Sequence, residues 1–207
     1  LTEPAMARKS MSTASRRLAV FTAAAGYAAR FGRAVERLSK DRRGVSAVEF
    51  AFLLPVMMTV FLGTVETTQG IAANRKVTLT AHTIADLATQ YTNITNADMS
   101  NVLAAGTAII VPFSATNLTE VVSELSINAQ GQASVVWSDT LNGTARSVGQ
   151  TVSIPSSLAV PNTYLVLSEV TYNYNPTYGY VITGTLTLSG HIYMRPRQSA
   201  SISRSAS

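Results

Sequence analysis

The hydrophobic pattern changes period along the chain, and each change predicts an element. From Val45 to Val65 the only charge is Glu49. As a helix those residues span roughly 31 Å, the hydrocarbon thickness of a bilayer, so a transmembrane helix is predicted over 45–65. Pro55 removes one backbone donor inside it and predicts a kink, which membrane helices tolerate. Glu66 to Tyr91 contains no proline and one glycine, so the helix is predicted to continue. Ala73, Val77, Ala81, Ile84, Ala88 and Tyr91 recur at steps of three and four. They form a narrow, alanine-rich stripe suited to close packing, either within the chain or against a neighbouring subunit. Thr92–Asn96 interrupts the pattern. Thr95 or Asn96 then caps a second helix, with Asp98 in its first turn, that stops before Pro112.

After Pro112 the period falls to two. Val121, Leu125 and Ile127 alternate with polar positions, Asn128–Gly131 supplies a turn, and Ala133, Val135 and Trp137 resume the alternation, so 120–138 predicts a β-hairpin. Tyr164, Val166, Val170, Tyr172 and Tyr174 mark a third strand. Tyr180, Ile182, Leu186, Leu188, Ile192 and Met194 share one face of a long fourth, which also carries Gly184 and Gly190. Glycine on an apolar face implies a bend or the close approach of something large. The serine-rich segment after Arg197 is expected to be a flexible tail.

The predicted fold class is therefore α+β: a long N-terminal transmembrane helix continuing into a helix packed on a small antiparallel β-sheet, with one open-sided core. Four parts follow: a basic leader at 1–44, the span at 45–65, a folded domain at 66–197 and a tail at 198–207.

Charge sharpens this division. The net charge of +5 hides an asymmetry: residues up to Gly44 carry ten basic and three acidic side chains, and the remainder is mildly acidic. The basic excess sits on the N-terminal side of the span, which orients that side to the cytoplasm and the domain outside. No basic patch is left for the domain, so a nucleic-acid partner is not expected. The apolar patch Leu18–Ala29 after Arg16-Arg17 reads as a loosely helical cytoplasmic tail or, alternatively, as a signal peptide. Charged residues are only 13% of the chain, low for a soluble cytoplasmic protein and fitting for one tethered to lipid.

Candidate chemistry is sparse. The chain has no cysteine, which removes disulfides, thiolate catalysis and most structural zinc sites. His82 and His191 lack ligands at metal spacing, Glu120 and Glu124 make no convincing acid–base pair, and no nucleophile or phosphate-loop motif occurs. The expectation is a protein that is not an enzyme, with no metal or cofactor. Arg195-Pro196-Arg197 reads as a polar strand end or a docking point.

What stands out is Arg42-Arg43-Gly44-Val45-Ser46-Ala47-Val48-Glu49-Phe50-Ala51-Phe52-Leu53-Leu54-Pro55. A carboxylate entering a membrane-length run costs a few kcal/mol, so chance apolar segments tend to lack one. Glycine with a hydrophobic run and a glutamate five residues on resembles the processing site of type IV prepilins. The longer motif, with its Leu54-Pro55 step, resembles the signature of TadE/TadG-like proteins, pseudopilin-like components of Flp (tight adherence) pilus assembly in bacteria. Arg75-Lys76-Val77-Thr78, Ile84-Ala85-Asp86-Leu87, Val170-Thr171-Tyr172-Asn173-Tyr174 and Tyr193-Met194-Arg195-Pro196-Arg197 continue the resemblance. Phe50 departs from it, where a tyrosine is common in processed members, and so does the long leader.

The resemblance implies prepilin-type processing between Gly44 and Val45, subunit docking through Glu49, and a single-pass protein of the bacterial inner membrane with its domain in the periplasm. Its implied partners are a prepilin peptidase, other Flp pilins, pilus platform proteins and membrane lipid. An unprocessed, signal-anchored binding or adhesion module is the alternative.

Overall fold

A computed structural model describes residues 32, 36, 37, 43–176, 178, 179 and 183–206. Most of the expected leader, and Tyr180 and Ile182 of the expected fourth strand, lie outside these residues. The chain divides into two compact units, Leu1–Met57 and Met58–Ser207.

Helix α1, Arg43–Ala88, begins in the first unit with Pro55 inside it. There its apolar side chains are exposed: Phe52 is 78% exposed, and Val45, Phe50, Leu53 and Val56 are also exposed. A helix this long and apolar, with a mean hydropathy of 2.1 over its most apolar window, has what a membrane span requires.

In the second unit, the remainder of α1 becomes a core element. Ala73, Val77, Ala81, Ile84 and Ala88 are all at most 1% exposed. The alanine-rich stripe therefore packs within the chain. It ends in a tight turn, where the Gln90 N–H donates to Leu87 O at 3.1 Å. Strand β1 (Asn93–Ile94) follows, then helix α2 (Asn96–Ile110). Thr95 caps α2 in a reciprocal box: its Oγ1 accepts from the Asp98 N–H, and the Asp98 carboxylate accepts from the Thr95 N–H at 3.0 Å.

The sheet comprises β2 (Leu118–Ile127), β3 (Ala133–Leu141), β4 (Thr151–Val152), β5 (Thr163–Tyr174) and β6 (Leu186–Met194). All its pairings are antiparallel, in the order β4-β3-β2-β5-β6. The hairpin turn closes as expected, with Asn128 Oδ1 accepting from the N–H groups of Gln130 and Gln132. Leu118 and Val122 of β2, and Val166, Val170, Tyr172 and Tyr174 of β5, join the α1 stripe in the main core. Gly190 faces α1 closely: a Cβ there would stand 3.4 Å from Thr78 Cα and 3.5 Å from Val77 O. A larger side chain would lift the helix off the strand.

Four expectations need correction. Trp137 does not continue the face of Ala133 and Val135. The register shifts so that Leu125 faces Val135 while Glu124 faces Trp137, leaving Val136 as the extra residue of a bulge. The bulge turns Trp137 into the main core while Ala133 and Val135 stay on the other face. Nor is that other face open along its whole length. Leu125, Ile127, Leu165 and Leu167 form a second, smaller core with Val152, Ile154 and Leu158 packed over it. Gly184 lies before β6, in a bend with φ +90, and not on its apolar face.

The fourth correction concerns the segment after Arg197, which is a fixed strap. Ser203–Arg204 form β7, pairing in parallel with β1, and Ile202 is 1% exposed. Serine composition suggested flexibility. The order comes from long-range partners that no local pattern reveals: Glu124 Oε1 accepts from the Ile202 N–H, Trp137 Nε1–H donates to Ile202 O at 2.8 Å, and the Arg204 guanidinium pairs with Asp139.

Candidate functional site

The residues singled out by sequence lie on one stretch of α1. Gly44 and Val45 belong to its first turn, and no neighbour stands within 4 Å of the position a Gly44 Cβ would take. Val45 and Glu49 are four residues apart and share a helix face, one turn from each other. Both are exposed. If the chain were cut after Gly44, the new amine would therefore lie one helical turn from the Glu49 carboxylate. Pro55 follows a turn and a half later, inside the helix and without interrupting it. These residues form no enclosed pocket. They form an exposed stretch whose acidic group is Glu49.

The domain's own carboxyls were poorly legible. Glu120 and Glu124 of β2 lie on the face covered by the helices and are completely buried. Neither Oε of Glu120 has a hydrogen-bond partner, and burial pushes its pKa up to about 8. Its carboxyl fills the space beside Gly106 of α2. Glu124 is also raised by burial, an effect opposed by the Ile202 N–H and by Trp137. Both groups are sealed from solvent, so they cannot reach a substrate, and their role is in the architecture. Two glutamates on the core face of an otherwise alternating strand were the available signal.

The remaining candidates are scattered over the domain. Arg197 of the Arg195-Pro196-Arg197 motif forms an ion pair with Asp86, while its N–H donates to Thr89 O at 3.0 Å. His82 is exposed on α1, and His191 is exposed on β6 with its ring 6.0 Å from that of Tyr193. On the sheet face away from the helices, Arg146 makes a bidentate pair with Glu169, 2.9 and 2.7 Å, beside a shallow groove of ≈ 390 Å³. That pair joins the loop after β3 to β5. Among the described residues, no group of three His, Cys, Asp or Glu could hold a metal ion.

Comparison with known families locates the signal in the same stretch. Residues 44–86 match the family model described as TadE-like protein, in agreement with the resemblance carried by the motif beginning at Gly44. The match covers the whole apolar segment and most of the buried stripe of α1. No curated protein and no solved structure matches the chain.

Proposed function

We propose that this chain, TadE-like over residues 44–86, is a non-enzymatic, pseudopilin-like component of Flp (Tad) pilus assembly, anchored in the bacterial inner membrane by α1. One observation carries the reading. The matched segment joins two different surfaces on a single helix: an uncovered apolar length bearing Glu49, and a stripe buried in the domain. An anchor needs only the first surface, and a soluble domain needs only the second. A domain held at the membrane needs both, and the TadE-like match over the same residues supports pilus assembly as its setting.

In this reading the basic leader lies in the cytoplasm and the sheet domain in the periplasm. A prepilin peptidase cuts after Gly44, where the lack of a side chain lets the active site approach the backbone. Glu49 then meets the freed amine of a neighbouring subunit, so that a carboxylate at membrane depth gains an opposite charge on assembly. Other Flp pilins and platform proteins are the partners.

The decisive measurement is the N-terminus of the protein recovered from membranes. Mass spectrometry is expected to find Val45 as the first residue, and Gly44→Leu to leave the leader attached. An intact leader in cells with an active prepilin peptidase would rule out processing.

A further inference from the structure

The two edges of the sheet are built differently. On the β3 side the edge is protected by several of the devices natural sheets use. Strand β4 covers only Ala133 and Ser134. Val135 is then engaged by the following loop, its N–H donating to Gln150 O at 3.0 Å and its carbonyl accepting from the Gly149 N–H at 2.8 Å. Val136 bulges, and Asp139 is tied to Arg204.

Among the described residues, the β6 side shows none of these devices. Leu186–Met194 is nine residues long, contains no proline, lysine, arginine or carboxylate, and pairs with β5 in unbroken register from Leu186 to Met194. Among the described residues, its only backbone hydrogen bonds are those of the β5 ladder. Half of its N–H and C=O groups therefore face outward in a regular row. Apolar surface remains at this margin as well: Leu186 is 41% exposed, and Ile192 and Met194 are half-buried.

We propose that β6 is the docking strand for an extended segment of a different protein chain, which adds to the sheet as a further strand. A row of alternating backbone donors and acceptors is matched by another extended backbone and by little else. The flanking side chains define the incoming pattern. Apolar residues are accommodated beside Leu188 and Ile192 on the helix side, and small polar residues beside Thr187, Ser189 and His191 on the other. The strand carries no lysine, arginine, aspartate or glutamate, so it selects for no strongly charged partner.

Antiparallel pairing of β6 with the β6 of a second copy does not fit. Helix α1 runs in the same direction as β6, from Val77 beside Gly190 to Thr89 O beside Arg197 N. Two-fold antiparallel pairing of β6 with itself would set the two helices antiparallel. The apolar residues Met58–Val65 would then lie at opposite ends of the pair, which one bilayer cannot accommodate. This exclusion rests on the anchored reading above; the exposed edge does not.

The test uses the full-length chain in cells, with the photo-reactive residue p-benzoylphenylalanine placed at Thr187, Ser189 or His191, and at Val136 as a control on the protected edge. The expected result is an adduct with a different protein from the β6 positions and not from Val136. In the purified uncrosslinked complex, amide exchange slows at alternate residues of Leu186–Met194. With the probe at His191, combining Thr187→Lys and Ser189→Lys lowers the adduct yield about tenfold, since lysines are the charges that guard natural edges. A homodimeric adduct, an adduct without protection of β6 amides, equal labelling from Val136, or no adduct overturns the proposal. Membrane fractionation of the same cells tests the anchor separately, so a failed edge and a failed anchor are distinguishable.

Discussion

The carboxyl of Glu120 occupies the space that a side chain at position 106 would need. A Cβ on Gly106 would stand 2.7 Å from Glu120 Cδ and 2.8 Å from Ile84 Cδ1, so α2, β2 and α1 meet at a point where only glycine fits. The glutamate and the glycine are halves of one packing solution. Gly106 is not free to grow while that carboxyl is in place.

Gly106→Ala is therefore expected to destabilise the domain although alanine is the better helix former. Propensity favours the change by up to about 1 kcal/mol, while overpacking of this kind costs about 1–3 kcal/mol. Denaturant unfolding of the detergent-solubilised chain measures the balance. Adding Glu120→Ala should restore part of the loss, because the clash is with that carboxyl. Unaltered stability of the single variant would contradict the packing described here.

Glu120 also makes stability depend on pH. Burial raises its folded pKa to about 8 from the ordinary 4.5, so the folded state holds the proton more tightly. Its contribution is fully present below pH 4.5, is lost as pH rises through about 8, and levels off above. Unfolding midpoints should fall across that window. Glu120→Leu should flatten the dependence and be stabilising at pH 8, since it removes a buried group without hydrogen-bond partners. An unchanged pH profile in Glu120→Leu would assign the dependence to another group.

Trp137 reports on the C-terminal strap. It is the chain's only tryptophan, is 6% exposed, and donates to Ile202 O. Ile202→Ala is expected to cost about 2–5 kcal/mol, as for other large-to-small core changes. Deleting residues 198–207 should also shift tryptophan emission to the red and leave the Glu124 carboxyl without the Ile202 N–H. A native emission spectrum in the truncated chain would show the strap to be dispensable.

Gly190→Val tests how closely α1 lies on the sheet. A Cβ there would already touch Thr78 and Val77 at 3.4 and 3.5 Å, so the further methyls of valine are expected to press on α1 and cost about 1–3 kcal/mol by calorimetry. Gly184→Val adds bulk in open space and should act only through its positive φ.

Glu49→Ala addresses the anchor. The helix remains apolar and long enough to insert, so membrane fractionation should be unchanged while pilus-dependent surface attachment falls. Normal piliation with Glu49→Ala would remove the docking role proposed for this carboxylate.

The sequence determined most of the elements and the division of labour between them. The 45–65 run, the Ala73–Ala88 stripe, the Thr95 cap, the hairpin turn and the alternation through Tyr174 are all local signals, spaced by the geometry of one helix or one strand. The Gly44–Pro55 motif was legible for the same reason: its residues are contiguous. Tertiary structure alone decided the rest. The Val136 bulge is a two-strand property, because it depends on which residues of β2 oppose β3, and it sends Trp137 to the other face. The strap after Arg197 is ordered by Glu124, Trp137 and Asp139, far away in sequence, against a composition that suggests flexibility. The burial of Glu120 depends on the coincidence of Gly106 and Ile84 above one strand position. Local patterns encode where a chain bends and which face is apolar; they do not encode which distant residue will fill the space.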